Sequence, residues 1–170
     1  MDLNLSQIVS TATAFVQGRT DISLSEGSFY ANLAYQEVAT RINYVGREAT
    51  AVSSTTSGEN RVSLPSDFGY PISLSNLSIP GPGGYRQLKQ QSVDLLDSGT
   101  TVLGQPTAYA LYNSWLELYP SPDSGYSLQL RYYKTVSALT ASTHTPAIDA
   151  RWHMGIVYKT AELLAQSRDD

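Results

Sequence analysis

The side chains that most often carry catalysis are scarce in this chain of 170 residues. It contains two histidines, His144 and His153, and no cysteine. A Ser-His-Asp triad needs a positioned imidazole as its base, but the chain lacks the Gly-x-Ser-x-Gly nucleophile elbow. His144 lies in a Ser/Thr/Pro-rich segment, and His153 follows Trp152 in a predicted helix. We therefore expect a surface or helix-flank histidine at each position and no catalytic residue.

Candidate sites for a metal or a phosphate are equally weak. Asp94 and Asp97 lie three residues apart and would share a helical face, but no third ligand is spaced to complete a cation site. The segment Gly81–Tyr85 is rich in glycine, yet its proline removes a backbone donor and no helix with a cradling lysine follows it. The lack of cysteine excludes thiolate metal sites and disulfides. The sequence thus predicts no metal, no cofactor and no enzymatic activity.

Tyrosine is the functional residue type in surplus, with 12 in the chain. It is enriched at protein interfaces because its ring is apolar while its hydroxyl still finds a polar partner. Three uses remain open: core packing, a protein interface and a platform for a glycan. In the stretch SWLELYPSPDSGYSLQLRYYKT, alternation puts Leu128 and Leu130 on one face of a strand and Arg131 on the other. The residues that we predict for a subunit interface are Tyr112, Tyr119, Arg131 and Tyr133.

Composition narrows the class of protein. Charged residues make up 15% of the chain and the net charge is -4, whereas about 25% is usual in soluble domains. The lack of a basic surplus argues against sequence-specific binding of nucleic acid. No apolar stretch approaches the ~20 residues needed to cross a bilayer, and the first residues lack the basic and apolar regions of a signal peptide. We expect one domain, made in a cytoplasm.

Apolar residues at three- and four-residue spacing predict helices at both ends of the chain. Asn4 is placed to cap the first helix, and a second helix follows the loop RTDISLSEG. In the last helix, Asp149 favours the positive end of the helix dipole. The predicted apolar stripes are Leu5, Ile8, Val9, Ala12, Phe15 and Val16; Tyr30, Leu33, Ala34, Val38, Ile42 and Val45; and Ile148, Trp152, Ile156, Val157, Ala161 and Leu164.

The middle of the chain has the alternation and the turn residues typical of β-structure. Ala108–Tyr112, Trp115–Tyr119 and Tyr126–Lys134 are predicted to form an antiparallel meander. The turns SSTTSGEN and SPDSG are expected to project from it. The predicted fold class is therefore α+β. A small bundle of two N-terminal helices and a C-terminal helix, over residues 1–47 and 147–168, brackets a β-rich insertion over residues 48–135.

Three motifs in a fixed order carry a family resemblance that covers most of the chain. The first is ANLAYQEVATRI in the second predicted helix, and the second is LPSDF before the β-rich part. The third and longest is GQPTAYALYNSWLELYPSPDSGYSLQLRYYKTVSALT. In this order, the motifs resemble those of the head-to-tail adaptor proteins, also called connector or head-completion proteins, of tailed bacteriophages.

The resemblance implies a structural virion protein at the head-tail junction. Such adaptors form a homo-oligomeric ring, commonly of twelve copies, below the portal protein. The ring extends the DNA channel, through which the genome passes without sequence-specific binding, and offers a platform for a tail, stopper or nozzle protein. The layout of the family also implies a portal-facing segment at the C-terminus. The residues of that segment are Gln166, Ser167, Arg168, Asp169 and Asp170.

A second function stays open beside the adaptor. A tail-associated module that binds a glycan or a receptor would use exposed tyrosine and tryptophan side chains in a concave pocket. The predicted helices at both ends argue against this alternative, because such modules are usually all-β.

Overall fold

A computed structural model describes residues 2–16, 21–42, 45–78, 85–94 and 102–167. The chain divides into two compact units. The helical unit comprises residues 1–47 and 135–170, and the β unit comprises residues 48–134. Helices and antiparallel strands both occur, so the α+β class is confirmed. That the two units form a single domain stays a prediction.

The helical unit begins with α1, Leu5–Phe15, which starts at the predicted cap. The Asn4 side chain accepts a hydrogen bond from the Gln7 N–H at 2.9 Å. In return, the Gln7 side chain accepts from the Asn4 N–H at 3.0 Å. This reciprocal capping box satisfies two N–H groups that the helix would otherwise leave unpaired.

The second helix, α2, spans Leu24–Arg41 and begins earlier than predicted. Its first turn lies within the segment expected to be a loop. The Ser23 hydroxyl caps this turn by accepting from the Glu26 N–H at 3.1 Å. A loop was predicted here because serine and glycine are typical of turns, and this prediction was wrong. Ser23 instead caps the helix, and Gly27 is buried within it.

The buried face of α2 also differs from the predicted stripe. Leu33 is exposed, and small residues carry much of the packing instead. The buried residues of α2 are Gly27, Ala31, Ala34, Tyr35 and Ala39. Small side chains allow neighbouring helices to approach closely, so here they, rather than Leu33, define the core face of the helix.

The chain returns to the helical unit after the β unit and ends in α3, His153–Gln166. Asp149 caps the preceding 3-10 turn, Ala150–Trp152, by accepting from the Arg151 N–H at 3.0 Å. Most of the predicted stripe of α3 is buried, but Trp152 is exposed because it ends this turn rather than facing the core.

Two polar side chains of α2 hold the segment that leads into α3. Asn32 donates to the carbonyl of Leu139 at 3.1 Å and accepts from its N–H at 2.7 Å. The Tyr35 hydroxyl accepts from the Ala147 N–H at 2.9 Å. Because these bonds satisfy backbone groups that form no helix or sheet there, they fix a segment without regular structure to the helical core.

The close approach of α1 and α2 at Gly27 is testable. A methyl group at residue 27 would overlap the Val9 side chain, whereas one at Gly155 in α3 would meet open space. We expect Gly27→Ala to lower the free energy of unfolding by about 1–3 kcal/mol through overpacking. The matched Gly155→Ala should raise it by about 0.5–1 kcal/mol through helix propensity. Urea denaturation of both variants checks this, and stabilisation by Gly27→Ala would contradict the packing.

The described residues of the β unit form two four-stranded sheets and a two-stranded pairing. In the first sheet the strand order is β1-β10-β3-β4; in the second it is β2-β8-β7-β5; β6 pairs with β9. The strands are β1 Glu48–Ser54, β2 Arg61–Ser63, β3 Phe68–Asn76, β4 Arg86–Gln87, β5 Lys89–Gln90, β6 Leu103–Gly104, β7 Ala108–Tyr112, β8 Trp115–Tyr119, β9 Ser121–Pro122 and β10 Ser127–Lys134.

The predicted meander is wrong in its last step. β7 and β8 form the expected hairpin, but β10 leaves β8 and pairs with β1 and β3 in the other sheet. Between them, β9 pairs in parallel with β6, which interrupts a direct β8–β10 hairpin. The inward residues of β8 and β10, such as Leu118 and Leu130, therefore meet across one core between the sheets rather than side by side.

Tyr132 joins this core to a polar partner. Its side chain is buried, and its hydroxyl donates to the Asp67 carboxylate at 2.7 Å. Burial, and next the hydrogen bond to Asp67, raise the pKa of Tyr132 to about 12. The folded state thus holds the phenol proton more tightly than the unfolded state. The resulting stabilisation is complete below a pH of about 10 and is lost as the pH rises towards 12.

The contribution of this hydroxyl can be measured. We expect Tyr132→Phe to lower the free energy of unfolding at neutral pH by about 1.5–3 kcal/mol, because a hydrogen bond to a charged group is lost. The variant should also lose less stability than the wild type between pH 10 and 12. Urea denaturation across this range, with the exposed Tyr112→Phe as the control, checks both effects. Equal pH dependence of Tyr132→Phe and wild type would contradict the linkage.

Candidate functional site

The two histidines serve the fold. His153 is fully buried at the first residue of α3. Its Nδ1 accepts from the Leu3 N–H at 2.9 Å, so Nε2 carries the proton and donates to the Ile148 carbonyl at 3.1 Å. Both nitrogens are therefore committed to the backbone. His144 is exposed in the loop before the 3-10 turn. The expected surface position is thus found for His144, whereas His153 is a buried residue of the first turn of α3.

A histidine with a structural role predicts a stability defect. His153→Phe would leave the Leu3 N–H and the Ile148 carbonyl buried without their partner. We expect it to lower the free energy of unfolding by about 2 kcal/mol or more. His144→Ala should change it by less than about 0.5 kcal/mol, as an exposed substitution usually does. Urea denaturation compares the two, and similar stabilities would refute the role of His153.

The other candidates for chemistry remain apart. Within the described ranges, no three His, Asp or Glu side chains come together as a possible metal site. Asp94 is exposed, while Asp97 and residues 81–84 of the glycine-rich segment lie outside the described residues. In the same part of the chain, no helix is both long and apolar enough to span a bilayer.

The structure separates the four predicted interface residues into two pairs. Tyr112 and Tyr119 lie on the outward face of the β2-β8-β7-β5 sheet, at opposite ends of the β7–β8 hairpin. Tyr112 is exposed beside its register partner Trp115, next to the turn. Tyr119 is half-buried against Ala108 at the other end. Among the described residues of this face, Tyr112 and Trp115 therefore offer the large exposed aromatic surface.

Arg131 and Tyr133 lie on the outward side of the β1-β10-β3-β4 sheet. We call this side the Arg131 face and define it by Glu48, Thr50, Val52, Ile72, Tyr85, Gln129, Arg131 and Tyr133. Cross-strand partners share a face, and Arg131 pairs with Thr50 on β1 and Ser73 on β3. The structure thus brings Arg131 and Tyr133 together but places them on a different sheet from Tyr112 and Tyr119.

Arg131 stands between two open depressions. One of about 420 Å³ is lined by Glu48, Ala49, Thr50, Ile72 and Arg131. The other, of about 210 Å³, is lined by Ser73, Ser75, Leu77, Tyr85, Gln87, Gln129 and Arg131. In the described part of the chain, Arg131 has neither a hydrogen bond nor an ion pair. An exposed guanidinium with all its donors available is suited to a carboxylate of another molecule.

Sequence analysis missed the apolar part of the Arg131 face. Val52, Ile72 and Tyr85 are all exposed on it. The signal for Val52 was present, because it continues the alternation of Glu48 and Thr50, the residues that face away from the core. Ile72 was harder to place, since an irregularity in the β3–β10 register falls beside it.

The two turns that were expected to project, SSTTSGEN and SPDSG, are joined to each other. Thr55 is buried, and its backbone N–H donates to the Tyr126 carbonyl at 2.9 Å. The Thr55 hydroxyl donates to the Ser124 carbonyl at 3.0 Å and accepts from the Tyr126 N–H at 2.8 Å. Gly58 N–H donates to the Pro122 carbonyl at 2.8 Å. Hydrogen bonds therefore join residues 55–60 and 121–126 into one structure, which we call the polar tip.

The predicted portal-facing segment is described only at its start. Gln166 is the exposed last residue of α3. Ser167 closes the helix, with its N–H donating to the Leu163 carbonyl at 3.0 Å and its hydroxyl to the Leu164 carbonyl at 2.9 Å. Arg168, Asp169 and Asp170 lie outside the described residues.

The described surface thus has three features that another molecule could contact: the Arg131 face, the aromatic end of the β7–β8 hairpin and the polar tip. The comparison with protein families identifies the class of protein. The chain belongs to the SU10 adaptor protein family, whose model matches residues 3–170. It is thus a structural adaptor protein of a bacteriophage. The search of curated proteins found no match.

Proposed function

We propose that the protein is a head-to-tail adaptor and has no enzymatic activity. Copies of the chain form a ring, of twelve in our proposal, below the portal protein of the virion. The ring extends the DNA channel and provides the attachment platform for a tail, stopper or nozzle protein. The family match over residues 3–170 carries this proposal. The chain is made in the host cytoplasm and acts at the head-tail junction.

The charges of the described residues fit a channel through which DNA slides. Several basic side chains are paired with carboxylates: Arg61 with Glu117 at 2.8 Å, Arg41 with Glu37 at 2.6 Å and Arg151 with Asp149 at 3.0 Å. Because phosphate contacts by free lysine and arginine dominate affinity for DNA, such pairing, with a net charge of -4, favours passage of the genome without sequence-specific binding.

The β unit offers surfaces for this assembly. A closed ring needs two different patches on each copy, one for each neighbour. The outward face with Tyr112 and Tyr119 and the Arg131 face with Arg131 and Tyr133 lie on different sheets, so they supply two such patches. We assign the side-to-side contact in the β unit to these residues, the polar tip to the tail side and residues 166–170 to the portal side.

One observation favours the alternative, a module that binds a glycan or receptor. Tyr85, Gln87, Gln129 and Arg131 together line a depression, and an aromatic side chain beside polar groups is a common setting for a sugar. Its volume of about 210 Å³ is below the 300–1,000 Å³ typical of small-molecule sites. Titration with oligosaccharides, followed by tyrosine and tryptophan fluorescence, tests this alternative.

The adaptor function is tested by mixing the purified protein with the portal protein of the same phage and imaging the particles by electron microscopy. We expect an additional symmetric collar below the portal. Arg131→Glu should reduce collar formation, because it reverses the charge at the centre of the Arg131 face. Arg86→Glu makes the same charge change at an exposed residue of the same sheet and should leave the collar intact, because its register partner Asn76 lies on the side opposite the Arg131 face.

The possible results of this experiment distinguish the adaptor function from the role of Arg131 in the subunit interface. Wild-type protein that adds no density to the portal would refute the adaptor function. A collar that forms equally well with Arg131→Glu would keep the function and remove Arg131 from the interface. A fluorescence change on adding a sugar, without a collar, would favour the glycan-binding alternative.

A further inference from the structure

An apolar patch lies on the outside of α2. Phe29 is 60% exposed and Leu33 is 42% exposed. These residues are four apart and project opposite the buried alanines of the same helix. The same side carries the uncharged residues Ser25, Gln36 and Thr40. Glu26 and Glu37 border it, three residues before Phe29 and four residues after Leu33. We call Ser25, Phe29, Leu33, Gln36 and Thr40 the α2 face. Two large apolar side chains are therefore exposed in the middle of this face.

A second apolar face lies along the seam between α1 and α3. Phe15 is 53% exposed and Tyr158 is 58% exposed, and their ring centroids are 5.3 Å apart. Met154, one turn before Tyr158, is also exposed. No residue of α1, from Leu5 to Phe15, is charged. We call Phe15, Met154 and Tyr158 the α1–α3 seam.

These two faces point in opposite directions. Each of α1, α2 and α3 packs against the other two, so the helices form a three-sided bundle in which the seam between α1 and α3 lies away from α2. The α2 face is on the far side of α2 from the core. One copy of the helical unit therefore carries two separate apolar surfaces on opposite sides.

Charged side chains border both apolar faces. Glu37, beside the α2 face, pairs with Arg41 at 2.6 Å and with Lys159 at 3.5 Å. Glu162, one turn after Tyr158, pairs with Lys159 at 3.1 Å. Apolar and aromatic residues inside a polar rim are the arrangement of interface cores. The carboxylates at the border disfavour DNA, whose phosphates they would repel, so a protein surface fits these faces better.

We propose that the α2 face of one copy packs against the α1–α3 seam of the next copy. This inference rests on the proposed ring and names a contact in it that the β unit does not contain. A two-fold dimer would cover one of the two faces and leave the other in water. A head-to-tail ring covers both in every copy, because each copy offers one face to each neighbour. The aromatic pair Phe15 and Tyr158 then receives Phe29 and Leu33.

The absence of cysteine makes a direct test possible. We introduce Leu33→Cys on the α2 face and Tyr158→Cys on the α1–α3 seam, both at exposed positions. The proteins are assembled on the portal, treated with a short bismaleimide and separated by denaturing electrophoresis. The double variant should give a ladder of dimers, trimers and higher species. An equal mixture of the two single variants should give dimers only, and each single variant alone should stay monomeric.

Each outcome decides the proposal. A collar seen by electron microscopy without any ladder would overturn the contact but leave the adaptor function standing. Dimers from one single variant alone would show a two-fold contact and would overturn the head-to-tail arrangement. Failure of the wild type to form a collar would overturn both. If Tyr158→Cys lowers the melting temperature by more than a few degrees, Met154→Cys takes its place on the same seam, with the same expected ladder.

Discussion

Among the described strands of the β unit, β10 makes the two longest pairings. β10 lies between β1 and β3 in its sheet, so its backbone groups are hydrogen-bonded in both directions. Successive side chains of β10 therefore lie on opposite faces of the sheet. Leu128, Leu130 and Tyr132 enter the core between the sheets, while Arg131 and Tyr133 face outward. A shift of one residue in register would exchange these sets and place an arginine in the core. The burial of one set therefore fixes the surface position of the other.

The sequence was sufficient wherever one local pattern decided the structure. The cap at Asn4, the helix α1 and the strands β7, β8 and β10 follow from periodicity and from the residues at their ends. The sequence was insufficient where contacts between different helices or strands determine the structure. Alternation tells which face of β10 is buried but not which strand lies beside it, so the pairing of β10 with β1 and β3 was missed. The core face of α2 was misplaced because glycine and alanine carry the close packing there, and small side chains give a weak apolar signal.

The candidate surfaces, like the fold, could be predicted only in part from the sequence. The sequence placed Arg131 on an outward face and identified tyrosine as the residue type to follow. It did not separate Tyr112 and Tyr119 from Arg131 and Tyr133, because their separation arises from the division of the strands between two sheets. Nor did it indicate the exposure of Phe29 and Leu33. An exposed apolar residue in an amphipathic helix has the same sequence signal as a buried one, and only the position of the neighbouring helices distinguishes them.

The two ends of the β unit lie beside each other. Glu48, its first residue, is the register partner of Tyr133, which is next to its last. Segments whose two ends are adjacent can be inserted into a host structure with little disturbance. The β unit can thus change in length and surface while its two ends stay adjacent, so the helical unit need not change to accommodate it. Such an arrangement lets one helical scaffold be fitted, by exchange of its insertion, to neighbours of different shapes.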